Sequence, residues 1–131
     1  MTRVVVPVRY PLSIHSASTL GEAIDIAAAE EAELTVLHVN LYQDSRRVTR
    51  TDLKRAVERE FGRLPKARYV VRRGFIVEQA ILDEVAAEGA DVVVIGGKQV
   101  SRLRRTLRGL LGEPDIESFL KRELDCRLEI V

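Results

Sequence analysis

Arg9 is the first charge after the apolar run "VVVPV" (Val4 to Val8), and it stands where that run gives way to proline and serines. A buried strand leaving the core delivers its next residues to an accessible edge. An arginine there offers only donors and attracts anions, unless it is simply solvated or paired with a carboxylate such as Glu113. Gly96, Gly97 and Lys98 suggest the same chemistry, since glycines let backbone N–H groups approach an anion and a lysine adds a point charge. Lys98, Arg102, Arg104, Arg105 and Arg108 put five positive charges between positions 96 and 112, with no acid among them. Such a run can bind polyphosphate or nucleic acid, dock an acidic partner, or cover a surface. It has no aromatic residue to stack on bases, so nucleic acid is not an expected partner.

Other reactive residue types carry less. His15 and Ser16 are adjacent in "SIHSAS", a spacing that rarely puts both side chains in hydrogen-bonding geometry, and no third group is evident to orient the ring. Helix capping accounts better for the serines. His38 lies inside "TVLHV", where a buried or strand-edge role is expected. No spaced set of His, Asp and Glu indicates a metal, and Cys126 is a single cysteine, which excludes an internal disulfide and fits a small core residue.

The elements that must position these residues are short and regular. Val4–Val8, Glu33–Val39, Ala67–Arg72, Asp91–Ile95 and Cys126–Val131 read as five strands. Ser18–Glu31, Thr51–Gly62, Val77–Glu88 and Asp115–Leu124 read as helices, with a capping box from Thr19 and Glu22, a stripe of Ala80, Ile81 and Val85, and Pro114 in a first turn before Ile116, Phe119 and Leu120. Alternation of apolar strands with amphipathic helices predicts an α/β fold, a five-stranded parallel sheet with helices on both faces. Loops 9–16 and 96–113 should then share the carboxyl edge, where such sheets bind ligands. Segment 41–50 is polar and reads as a mobile connection that could cover the pocket.

At 131 residues the chain suits one domain spanning 1–131. Lys and Arg number 21 against 20 Asp and Glu, a net charge of +1 that argues for no global field. No stretch has the length of a membrane span or the pattern of a leader, so a cytoplasmic location is expected.

The stretches "VVVPV", "HSASTLGEAIDIAAAEEAELTVLHV" and "GADVVVIGGKQVSRLRRTLRG" resemble a universal stress protein of the UspA type across nearly the whole chain. The resemblance implies a Rossmann-like sheet and stress-linked regulation through binding, without enzymatic turnover. It also implies, for ATP-binding members, an aspartate just after strand one and a phosphate loop G-x2-G-x9-G-[ST] after strand four. Here Arg9 replaces the aspartate, Gln99 the second glycine and Leu110 the hydroxyl residue, while Gly96 and Gly109 match the first and third glycines. Gly112 can serve as the third only with three residues inserted. A side chain at Gln99 would occupy the space of the phosphates, and Arg9 reverses the chemistry of an acceptor.

The expected site, reshaped or lost as a nucleotide site, comprises Pro7, Arg9, Val39, Gly96, Gly97, Lys98, Gln99 and Gly109. Pro7 and Val39 stand where family members hold base and ribose. No cofactor is certain: ATP or AMP held by the 96–109 backbone is one alternative, and a pure interaction module whose arginine-rich loop docks an acidic protein is another. The resemblance further implies a homodimer pairing last strands antiparallel through Cys126, Arg127, Leu128, Glu129 and Ile130.

Overall fold

The computed structural model describes residues 2–111 and 115–131, without the side chains of Leu110, Leu111 and Ile116. Gly112, Glu113 and Pro114 lie outside the described residues, and with them the alternative third glycine, a carboxylate partner for Arg9 and the first-turn proline.

Ten elements alternate along the chain: β1 (Arg3–Pro7), α1 (Ile14–Ala29), β2 (Glu33–Leu41), α2 (Arg50–Phe61), β3 (Ala67–Gly74), α3 (Val77–Glu88), β4 (Val92–Ile95), α4 (Gly97–Leu111), α5 (Ile116–Leu124) and β5 (Arg127–Ile130). The strands form one parallel sheet in the order β3-β2-β1-β4-β5. Because side chains alternate across a strand, Val4 and Val6 of β1 join Leu20, Ala23, Leu53 and Val57 in one core cluster. Val5 joins Ile81, Val85, Leu103, Leu107 and Leu120 in the other. The α/β fold with five parallel strands is therefore as the alternation predicts, with α1 and α2 over one face and α3, α4 and α5 over the other.

Two local expectations change. Helix α1 begins four residues early, because Ser13 sits in extended backbone and its Oγ accepts from the Ser16 N–H at 3.1 Å, which caps the helix. Thr19 is consequently interior, its hydroxyl donating to the His15 carbonyl at 2.9 Å, and makes no capping box with Glu22. A reciprocal box does open α2, between Thr49 and Asp52.

The larger correction concerns 96–113. Far from a loop, Gly97–Leu111 is a 15-residue helix. Val100, Leu103 and Leu107 recur at helical spacing and are buried, while the arginines face outward. Reading the glycines as a phosphate motif hid this period. Segment 41–50, irregular and mostly exposed between its ends, is anchored near both of them. Strand β2 runs on to Leu41, and buried Asn40 holds Val48 by donating Nδ2–H to its carbonyl (2.8 Å) and accepting its N–H (3.1 Å).

Beneath β2 and β3, α3 buries two carboxylates one turn apart. Arg72 Nε binds Glu84, while Arg68 (2.9 Å) and the Thr35 hydroxyl (2.6 Å) both reach Glu88 Oε1. Glu88 Oε2 is buried without a partner. Burial and the neighbouring Glu84 carboxylate push the Glu88 carboxyl above its ordinary value. Glu84, although burial opposes it, is held below the ordinary value by the hydrogen bonds from Glu88 and Arg72.

A raised carboxyl stabilises the fold below its unfolded value and loses that contribution as pH rises through the folded one. Urea unfolding of Glu88→Gln should therefore gain on the wild type as pH rises from about 4 to 7, since the amide keeps a donor on Glu84 at every pH. A difference that is flat across that range would refute the raised Glu88 carboxyl.

Candidate functional site

A cavity of about 810 Å³ opens at the carboxyl ends of β1, β2 and β4, where strand order reverses about β1. Its floor is apolar, from Pro7, Leu37 and Val39, and the ends of α1, α3 and α4 complete its walls.

Arg9 reaches it because the chain turns sharply after β1. The Val8 N–H still donates to Leu37 (2.8 Å), whereas the Arg9 N–H leaves the ladder and donates to Ser16 Oγ at 3.0 Å. Ser16 is thus a buried anchor for that turn, which disposes of it as a nucleophile. His38 follows on β2 with Nδ1 3.1 Å from the Val8 carbonyl. A carbonyl only accepts, so Nδ1 carries the proton. Burial holds the imidazole below its ordinary value, which keeps the ring neutral at neutral pH and leaves Nε2 as an acceptor.

Tyr10 meets the His38 ring edge-on, with centroids 6.3 Å apart, and Arg46 lies over Tyr10 at 5.1 Å. That cation–π contact joins the segment after β1 to the one after β2 across the cavity. Arg46 reaches the cavity because Asn40 pins Val48, two residues on.

On the opposite wall, Lys98 and Arg102 project from the first turns of α4. Glu78 at the start of α3 is occupied: it accepts from Gln99 Nε2 at 2.7 Å and from the Thr106 hydroxyl at 3.3 Å. Arg9, Lys98 and Arg102 enter no ion pair among the described residues. The cavity thus sets four cations, Arg9, Arg46, Lys98 and Arg102, against two carboxylates, Asp44 and Glu78, around an apolar floor.

With this geometry in place, the model of the universal stress protein family matches residues 1–113. The chain belongs to the universal stress protein family. Solved structures of the family share its fold, among them the following three. A universal stress protein solved in complex with cAMP is 20% identical (TM-score 0.56, 97% of this chain and 95% of that one). UspA from Lactobacillus plantarum is 19% identical (TM-score 0.59, 99% and 97%). A family member from Burkholderia pseudomallei is 17% identical (TM-score 0.61, 97% and 94%). No curated protein sequence matches the chain.

Against the family's phosphate-loop pattern, this universal stress protein places its glycines differently. Gly96 abuts α1: a Cβ there would come within 3.1 Å of Thr19 Oγ1. The Gly97 N–H is already used, donating to the Val131 carbonyl at 3.2 Å as the ladder with β5 runs out, so it is not part of an anion cradle. Gly109 lies twelve residues along α4 from Gly97, about 18 Å at the helical rise, and does not line the cavity. Gln99, at the second glycine position, is bonded to Glu78 in the cavity wall.

Pro7, Arg9, Val39, Gly96, Gly97, Lys98 and Gln99 do converge there. Arg46 and Tyr10 were not legible as partners, because their meeting depends on a side chain, Asn40, folding a polar connection back. The described residues contain no cluster of three His, Cys, Asp or Glu placed to hold a metal ion, and no helix among them is long and apolar enough to cross a membrane.

Proposed function

We propose that this chain is a non-enzymatic regulatory binding protein whose cavity takes a phosphate-bearing ligand of mononucleotide size, such as AMP or ATP. Side-chain cations replace the family's glycine-rich cradle. The supporting observation is the ring of Arg9, Arg46, Lys98 and Arg102 above Pro7, Leu37 and Val39. Arginine forks suit phosphate oxygens, the floor suits a base or sugar, and about 810 Å³ falls in the range of small-molecule sites. The neutral His38 adds an acceptor, which suits an amine or hydroxyl of the ligand.

The test is isothermal titration with AMP and ATP, with and without Mg²⁺, after native mass spectrometry for a carried-over ligand. Saturable heat is expected. Absence of both heat and carried ligand would overturn the reading and leave the outward arginines of α4 as a dock for an acidic protein.

Assembly as a homodimer through β5 belongs to the same proposal. β5 is an edge strand, and Ile130 is 46% exposed on it. Cys126 is buried in its own core, and Arg127 is bound to Glu30 and, at 2.9 Å, to Glu129 of the same chain. The interface would therefore rest on strand pairing with Leu128 and Ile130, not on the charges. Light scattering should give twice the chain mass, falling to the monomer in Ile130→Asp. A monomeric wild type at micromolar concentration would sink the idea.

A further inference from the structure

Outside the cavity, the ends of β2 and β3 carry two exposed aromatic rings. Tyr42 and Phe75 are 52% and 72% exposed, although the chain has only three residues of each type. Their centroids are 4.7 Å apart with planes tilted by 44°. The guanidinium of Arg73 lies 5.3 Å from the Tyr42 ring centroid. Two bonds lock the backbones that carry them: the Tyr42 N–H donates to the Gly74 carbonyl at 2.9 Å, and Gln43 Nε2–H donates to the Phe75 carbonyl at 3.0 Å. Two exposed rings are thus preorganised beside a cation. The pair adjoins the cavity, since Tyr42 follows Leu41 and Phe75 stands two residues before Val77, and both Leu41 and Val77 are cavity wall.

We propose that this rim is a second, stacking subsite, so that the mononucleotide in the cavity is one half of a dinucleotide: one base and the phosphates in the cavity, the other base on Phe75. The proposal rests on the anion reading of the cavity. Its scale favours a single planar group over a protein. Two rings and Ile76 make a small patch, whereas a stable protein interface needs about 800 Å² on each partner. A dinucleotide also has, in its base, a π-face for the ring and, in its linking phosphates, the charge that Arg73, Lys98 and Arg102 complement. The α4 segment supplies cations without aromatics, and the fold brings the missing aromatics to the same sheet edge from two other connections.

The experiment is titration of the full chain with AMP and with diadenosine diphosphate, in wild type, Phe75→Ala and Phe75→Trp. Phe75 is too exposed for either change to disturb the core, and Arg73→Gln offers a second, surface variant. The dinucleotide should bind about tenfold to a hundredfold tighter than AMP, the scale of one base stacked on an aromatic ring. Phe75→Ala should bring it to the AMP level while AMP affinity stays unchanged, Phe75→Trp should preserve the gap, and Arg73→Gln should narrow it.

Equal affinities of the two ligands in wild type, or a gap that survives Phe75→Ala, would overturn the stacking subsite and leave the cavity reading standing. Failure of both ligands to bind would overturn the two together. A change in mass on Phe75→Ala with dinucleotide affinity unaltered would assign the rings to a second copy of the chain, and would also overturn the proposal.

Discussion

Leu103→Ala should lower the unfolding free energy by about 2–5 kcal/mol, whereas Arg104→Ala beside it should change it by no more than about 0.5 kcal/mol. Leu103 is fully buried in the cluster that also holds Ile95, Val100 and Leu107, so truncation loses transfer energy and leaves a cavity bounded by strand and helix. Arg104, the next residue along α4, is exposed to solvent. Urea unfolding followed by circular dichroism measures both. Equally small effects would mean that 97–111 does not pack as a helix on the sheet, and a phosphate loop would again be tenable.

Paired reversal of Arg9→Glu and Lys98→Glu should weaken AMP binding at least about a hundredfold. Each cation removed deprives the phosphate of a charge-assisted contact of about 1.5–3 kcal/mol, and each glutamate adds repulsion. Arg9 is exposed and Lys98 stands on the first turn of α4, both clear of the buried clusters, so the melting temperature should barely move. Titration of the variant against AMP reads the loss. Unchanged affinity would show that the basic ring does not hold the ligand and that backbone groups suffice.

These two predictions depend unequally on what could be read along the chain. The placement of Arg9 at a ligand-accessible edge needed only "VVVPV" and the strand–helix alternation, because continuous β-branched runs suit strands buried on both faces. That Lys98 shares the edge follows from the same topology, in which successive parallel strands end on one side. Helix α4 was within reach too: Val100, Leu103 and Leu107 carry the period, but glycines spaced like a phosphate loop competed with it, and a glycine in an exposed helical turn costs only about 1 kcal/mol. At Gly97 and Gly109 no neighbour stands where a Cβ would go. Only Gly96 is constrained, by Thr19, a residue 77 positions away that no local pattern connects to it.

By itself the sequence determined the strands, most of the helices, the parallel sheet and the edge at which to look, since each follows from periodicities of two and 3.6 that bury one face. The tertiary structure alone decided what that edge holds. Arg46 stacks on Tyr10, Gln99 turns to Glu78, the Gly97 amide is taken by Val131, and Tyr42 meets Phe75. Each of these contacts joins segments distant in the chain through side-chain rotamers or free backbone groups, which hydrophobic patterning does not encode.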